Sequence, residues 1–418
     1  MNQPASTAQA TTGSMRDSIL TEAARALNRR GVADTGLSDI AGAVGVTRAA
    51  LYYYFTNQED LVFQSYRHSC EVLSRQLSAA TAVGSGGDAL SIIARFVDAA
   101  TDPEAPETAT LCEVACLGPE KREAITRLYE GVVAKLGDII QRGVERGEIR
   151  RCDPRLAAMA AIGLVSWIPL QKRWTLSAAF THADLAGAVK SLILEGVAAD
   201  QRQEIPYSPI FLRPAGIPSQ DVFDGRVLAM AKQEVLLAVA SRLFNLKGFD
   251  STSLDEIARE VGVTKKVIYH NIGGKQALLI ACNLRSLALA ISLTERSREG
   301  VVDDLQALCR LIHAHVEARL RDDLAPLSGA GGLGFLPPES LAVVNEHAIR
   351  LFEAAQAVVG GPHPDGSLRG VDHDAFLMII PGLVEWIPKW LSAQAPAERQ
   401  LIASELTNFC AFGLRPMV

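Results

Sequence analysis

The sequence predicts an all-α chain built as two tandem units, each a small N-terminal three-helix head followed by a larger helical domain. Three observations carry this. The chain has 418 residues, 48% of them hydrophobic and 21% charged, which is more than a single core usually serves. Residues 37–61, LSDIAGAVGVTRAALYYYFTNQEDL, return at 254–278 as LDEIAREVGVTKKVIYHNIGGKQAL, a constant offset of 217. Apolar residues recur at helical spacing (Ile19, Ala23, Ala26 and Leu27; then Leu236, Val239, Ala240 and Leu243), and no strand-like alternation stands between turn signals.

Taken in order, residues 1–13 read as a disordered tail with neither the basic nor the apolar stretch of a secretory leader. Gly31 and Gly248 stop the two opening helices. Ser38 to Val44 is a short helix with Ile40, Ala41 and Val44 inward. Gly45 makes the turn, Val46 plugs the core, and Thr47 caps a second short helix ending near Tyr54. The copy uses Ile257, Ala258, Val261, Gly262, Val263 and Thr264. Small Ala41 and turn-forming Gly45 allow a steep crossing, which leaves the second helix proud and able to enter a major groove about 12 Å wide. The heads span 14–64 and 224–281, and helical domains span 65–200 and 282–418. Between the units, residues 201–223 carry Pro206, Pro209, Pro214 and Pro218, a spacing that suits a semi-extended linker. GLVSWIP from Gly163 recurs as GLVEWIP from Gly382 at an offset of 219, and RLYE from Arg127 echoes RLFE from Arg350. Pro169 and Pro388 kink or end the helix they follow, and typical lengths give around nine or ten helices per half.

Composition narrows the function. A net charge of -6 argues against a general polyanion binder but leaves room for a local reading head. Locally, 224–278 holds eight Lys and Arg against six acids, and 14–61 holds five against six, so the second head carries more of any salt-dependent affinity. Seven cysteines without a CxxC pair fit reduced thiols and the cytoplasm, and no bilayer span is expected. Cys112 and Cys116, one helical turn apart, read as buried thiols or as an oxidant sensor. Gly329, Gly331 and Gly334 spell GxGxxG with no preceding strand and read as a loop. The group His363, Asp365, Asp372, His373 and Asp374 reads as a solvated turn, and His313 and His315 face different sides. No catalytic motif is found; no enzyme activity, cofactor or metal is expected.

The opening helix, IAxxxGVTxxxLYxxF and a [K/Q]-x-x-L start to the fourth helix together resemble the TetR family of bacterial transcription regulators, over roughly 14–64 and again 224–281. The resemblance implies that Thr47 caps the recognition helix and meets a phosphate, Arg48 and Ala49 face base edges, and Tyr52 and Tyr53 reach the backbone or a thymine methyl. Thr264, Lys265, Lys266, Tyr269 and His270 take these places in the copy. Lys275 stands at the family's phosphate-clamping lysine, where the first copy has Gln58. Ile272 replaces the family's Phe, which the first copy keeps as Phe55. GLVxWIP would begin a four-helix dimer interface completed near Leu185–Ala198 and Ala397–Phe412. Trp167, Trp174, Trp386 and Trp390 then pack that interface or wall a ligand pocket.

By resemblance the chain is a sequence-specific regulator, most often a repressor in this family, answering a small effector, and helical domains rich in Ala, Leu, Val and Ile suit one that is apolar or amphipathic. Because the two heads differ at base-facing positions, an asymmetric double-stranded operator is expected, read by an intrachain pseudodimer that is monomeric or pairs further as a homodimer. Effector binding would shift the fourth helices, starting near Glu59 and Gln276, and change the spacing of the heads. The competing reading is a helical protein-interaction scaffold whose heads no longer bind DNA.

Overall fold

The computed structural model describes residues 5–32, 35–82, 87–173, 179–202, 208–212, 225–329, 332–359, 366–370, 372–393 and 395–416. The first unit comprises α1 (Ala5–Arg30), α2 (Leu37–Ala43), α3 (Arg48–Leu51), α4 (Gln58–Ala82), α5 (Ala89–Ala100), α6 (Pro119–Glu145), α7 (Pro154–Trp167) and α8 (His182–Glu195). The second comprises α9 (Gly225–Lys247), α10 (Leu254–Val261), α11 (Lys265–Asn271), α12 (Lys275–Ser297), α13 (Asp304–Leu320), α14 (Pro338–Val359), α15 (His373–Ile379), α16 (Pro381–Val384), α17 (Ile387–Trp390) and α18 (Pro396–Phe412). Among the described residues there is no strand, only one isolated antiparallel bridge, Ala198 with Leu368. Most of the stretch expected as a disordered tail is helical, since α1 begins at Ala5.

The extra helices of the second unit have a local cause. Pro381 stands where the first unit has Ile162, so α15 ends and α16 starts afresh at a residue without an N–H. In the first unit α7 runs unbroken to Trp167 and gives way to a 3-10 segment, Ile168–Arg173, that contains Pro169. Short 3-10 turns at Val114–Cys116 and Leu333–Phe335, offset by 219, precede α6 and α14 and fix their register. Buried Leu117 and Ile125 then match buried Leu336 and Val344. The RLYE and RLFE echo, offset by 223, is therefore one helical turn out of register.

The units join about a pseudo-two-fold. α7 and α8 pack against α15, α16 and α18, and Ala-rich α7 lets the backbones close up. Gly163 and Gly382 face one another: a Cβ on Gly163 would lie 2.5 Å from the Gly382 carbonyl oxygen, and one on Gly382 would lie 3.1 Å from the Gly163 carbonyl oxygen. A second reciprocal crossing follows α8 and α18. Gly196 (φ 64°, ψ −159°) and Gly413 (φ 60°, ψ −145°) hold a conformation open essentially to glycine. Ala198 N donates to Ala411 O at 2.7 Å and Arg415 N to Leu194 O at 2.9 Å. Arg369 N reaches Val197 O at 2.9 Å, as Arg150 N reaches Leu414 O at 3.1 Å. The same bonds are thus made twice, once from each side.

Of the linker, Ile210 and Leu212 are buried against Leu293, Leu311 and Ala318, and Arg321 donates to Leu212 O at 2.7 Å. Pro206, Pro214 and Pro218 lie outside the described residues. One helix, α12, has 23 residues and an 18-residue window of mean hydropathy 1.7, which by length and composition is enough to cross a bilayer. Here it packs on α9, α13 and α14, and 39% of that window is buried.

Candidate nucleic-acid interface

Each head builds the same turn. Gly45 (φ 73°) and Gly262 (φ 78°) are left-handed, and directly after them Val46 N bonds Ala41 O and Val263 N bonds Ala258 O, both at 2.9 Å. Ile40, Ala41, Leu51 and Phe55 are buried beneath the first turn, Ile257, Ala258 and Ile268 beneath the second, and Val44, Val46, Val261 and Val263 are partly buried against them. Partly buried Ile272 does the packing of Phe55. Thr47 accepts from Ala50 N at 3.2 Å; Thr264 has the same extended N-cap backbone without a side-chain bond.

Thr47, Arg48, Ala49, Tyr52 and Tyr53 are exposed, Tyr53 at 81%, as are Thr264, Lys265, Lys266, Tyr269 and His270. The two faces differ in shape as well as sequence. α11 completes two turns, whereas α3 has one and then tightens, Tyr54 and Phe55 N–H both pointing at Leu51 O through a run of three tyrosines of modest helix propensity. Arg48 Nη2 lies 3.4 Å from the Tyr52 hydroxyl. Lys265 Nζ is 2.9 Å from Asp255, whose hydrogen bond and charge raise the lysine pKa. Lys275 turns inward: Nζ donates to Asp250 O at 3.2 Å and sits 4.3 Å over the Phe249 ring, and burial lowers its pKa. Gln58 does the equivalent work in the first head, donating to Val32 O at 3.1 Å and Thr35 O at 3.0 Å. Both side chains close the loop after the opening helix.

Two segments, 19–64 and 236–282, match the family model described as bacterial regulatory proteins, tetR family, and residues 91–174 match that of the tetracyclin repressor-like C-terminal domain. The chain belongs to the TetR family. It is a helix-turn-helix transcriptional regulator with the DNA-binding domain present twice. The HTH-type transcriptional regulator TtgR of Pseudomonas putida is 29% identical over 198 residues, 44% of this chain and 89% of TtgR. The fatty acid metabolism regulator protein of Bacillus subtilis is 22% identical over 187 residues, 43% of this chain and 93% of its own. Among solved structures, PfmR from Thermus thermophilus is 24% identical with a TM-score of 0.37, covering 43% of this chain and 95% of PfmR. AibR, solved in complex with isovaleryl coenzyme A and operator DNA, is 24% identical with a TM-score of 0.35, covering 43% and 97%.

What ties each TetR head to its helical domain was not read from the sequence. Buried Asn28 of α1 donates to Thr108 O and accepts from Thr110 N, both at 2.9 Å; buried Asn245 of α9 donates to Pro326 O at 2.9 Å and accepts from Ser328 N at 2.8 Å. The 217 offset pairs these asparagines, in ARALNRRG and SRLFNLKG, and was the available signal. Fourth helices are tied too, by opposite chemistry. Gly118 N donates to Glu59 at 2.8 Å, with Lys121 3.4 Å from the same carboxylate, and the Gly118 hydrogen bond is the main cause of its lowered pKa. In the second unit Pro337 fills the Gly118 position and has no N–H, and Gln276 instead donates to Phe335 O at 3.1 Å.

Trp167 and Trp386 are buried in the four-helix contact, and Trp167 Nε1 donates to Met378 O at 3.0 Å. Trp390 stacks on Tyr129 with ring centroids 4.2 Å apart; Trp174 lies outside the described residues. A cavity of about 220 Å³ opens among α12, α13, α14 and the α15–α16 break, walled by Leu308, Leu351, Phe352, Phe376 and Trp167. Arg319 and Glu385 form an ion pair at its edge, and Gly329 N donates to the same carboxylate at 2.7 Å. Burial pushes the Glu385 carboxyl up, but Arg319, Ser328 and Gly329 outweigh it and hold it below its ordinary value. His315 is pushed down to about 3, by burial first and then by Arg319. Cys116 is pushed up to about 12, chiefly by burial, which keeps it a thiol, and Cys112 is buried. His363, Asp365 and Gly331 lie outside the described residues, and Asp372 caps α15. No group of three or more His, Cys, Asp or Glu fit to hold a metal occurs among the described residues.

Proposed function

We propose that the chain is a cytoplasmic repressor whose two unlike heads, at 14–64 and 224–281, read the halves of an asymmetric operator and let go when a small apolar or amphipathic molecule enters the helical domains. One observation supports this reading: the reciprocal Gly163–Gly382 and Gly196–Gly413 crossings join, within one chain, two units whose heads differ on their exposed faces at Arg48/Lys265, Ala49/Lys266 and Tyr53/His270. The pseudo-two-fold takes the place of a homodimer's two-fold and removes most of the entropy cost of association. Thr47, Arg48, Ala49, Tyr52 and Tyr53 would read one half-site, and Thr264, Lys265, Lys266, Tyr269 and His270 the other, with Lys275 swinging from Asp250 O to a phosphate.

The signal has a contiguous route. Adjacent backbone N–H groups of Ser328 and Gly329 hold Asn245 of the second head and Glu385 of the cavity edge. A ligand that moved Glu385 would pull on α9 directly.

Selection of random duplexes by the purified chain is expected to enrich two unlike half-sites about one helical turn apart. A perfect palindrome would show that two chains pair like heads, and no enrichment by a folded chain would favour the scaffold. Lys265→Ala with Lys266→Ala should relax preference in the second half-site and, by removing two positive charges from that face, reduce the slope of log affinity against log salt, while Arg48→Ala should relax preference in the first half-site. Unchanged slope in the lysine variant would remove the second head from the interface.

A further inference from the structure

We infer that the chain has one effector seat, in its second unit, that the matching seat of the first unit is filled by the chain's own side chains, and that the ligand is an uncharged, mostly apolar molecule with one hydrogen-bond acceptor. This rests on the reading of the chain as an effector-controlled regulator.

The register between the units decides it. α4 and α12 correspond at an offset of 217, α6 and α14 at 219. On that register Leu73, Leu77, Tyr129 and Leu136, all buried in the first unit, become Ala290, Thr294, Ala348 and Ala355, all on the wall of the 220 Å³ cavity. A fifth exchange crosses the pseudo-two-fold. Trp390, from the second unit, stacks on Tyr129 in the first; its counterpart Gln171, from the first, borders the same cavity as Ala348. Only about 70 Å³ is left beside Tyr129 and Trp390. An empty apolar cavity lowers stability, and the first unit shows that this fold can close the space with larger side chains. The second unit keeps it open with four smaller ones.

The lining gives the ligand's chemistry. Leucine, isoleucine and phenylalanine dominate, which calls for an apolar body. Arg319, the one arginine or lysine among the described lining residues, is already neutralised by Glu385, so a charged ligand would shed its hydration without gaining a net counter-charge. The Arg319 side chain is only 10% exposed, and its Nε has no hydrogen-bond partner among the described residues. A carbonyl or ether oxygen would supply one.

Prodan, an uncharged naphthyl ketone whose emission reports its surroundings, tests this, with anionic anilinonaphthalene sulfonate as the charged comparison. Titration calorimetry and emission should give one prodan per chain, with the anion bound at least tenfold more weakly. Ala348→Tyr, or the milder Ala348→Leu, should weaken prodan at least tenfold with helical circular dichroism intact. Tyr129→Ala combined with Trp390→Gln should raise the count to two. Two prodans per parent chain, none, or affinity indifferent to both Ala348 variants would overturn the inference. Duplex binding is measured on the same samples: one prodan bound by a chain that binds no DNA leaves the seat standing and removes the regulator reading, and DNA binding with no prodan does the reverse.

Discussion

Gly196→Ala and Gly413→Ala are each expected to lower the urea midpoint, corresponding to a loss of about 2–5 kcal/mol, whereas Gly187→Ala should raise it. Two costs combine. Positive φ with ψ near 180° is strained for any residue with a Cβ, and the new methyl has nowhere to go: at Gly196 it would run into the Ala411 carbonyl oxygen, and at Gly413 it would lie 2.6 Å from Gly196 N. These neighbours are backbone: Ala411 O already accepts the crossing bonds from Val197 N and Ala198 N, and Gly196 N is bonded to Leu192 O, so neither can move aside without breaking a hydrogen bond. Gly187, exposed within α8 with nothing near its missing Cβ, supplies the control, since alanine there should stabilise by about 0.5–1 kcal/mol. Because the crossing orients the two heads, the damaging variants should also lose operator affinity. Midpoints equal to that of Gly187→Ala would mean that the crossing does not hold the units together.

The heads were legible because their requirements are local. A turn glycine, an N-cap threonine and apolar residues three and four apart each have one physical use at that spacing, and Gly45, Thr47, Ile40 and Ala41 take those places. The pseudo-two-fold was legible from repetition together with the family resemblance, and GLVSWIP and GLVEWIP meet each other across it. What stayed hidden depends on register and on volume. The RLYE and RLFE match drew α6 and α14 one turn out of step and concealed that Tyr129 faces the place of Ala348. Pro381 was as visible as Pro388, but its consequence, a helix broken at the cavity edge, follows only when Ile162 is recognised as its partner. Tyrosine for alanine reads as ordinary divergence until the cavity is seen. The asparagine clamps were missed for a related reason: a buried polar residue in an amphipathic helix looks like a solvent-facing one until its partners, about eighty residues away, are placed.

Arg319→Met should cost about 3–5 kcal/mol, because it leaves Glu385 buried with its charge uncompensated, whereas Arg319→Met with Glu385→Met should return close to the parent stability. The two side chains are only 10% and 11% exposed, so solvent screens the pair little. The sign of the pH dependence separates this from simple loss of packing. Glu385 is held below its ordinary 4.5 in the folded chain, so the pair's contribution is fully present above that value and is lost as the pH falls through the lower, folded one. In Arg319→Met the carboxyl is raised instead by burial and takes up a proton readily. The stability gap between parent and single variant should therefore be widest near neutrality and narrow as the pH drops below 4.5, while the double variant shows no such convergence. A gap constant with pH would make the arginine a packing residue. If the gap narrows as expected, the same carboxylate governs both the stability of the cavity edge and, through Gly329 and Ser328, the grip on Asn245, so the protonation state of one buried glutamate should also alter duplex affinity.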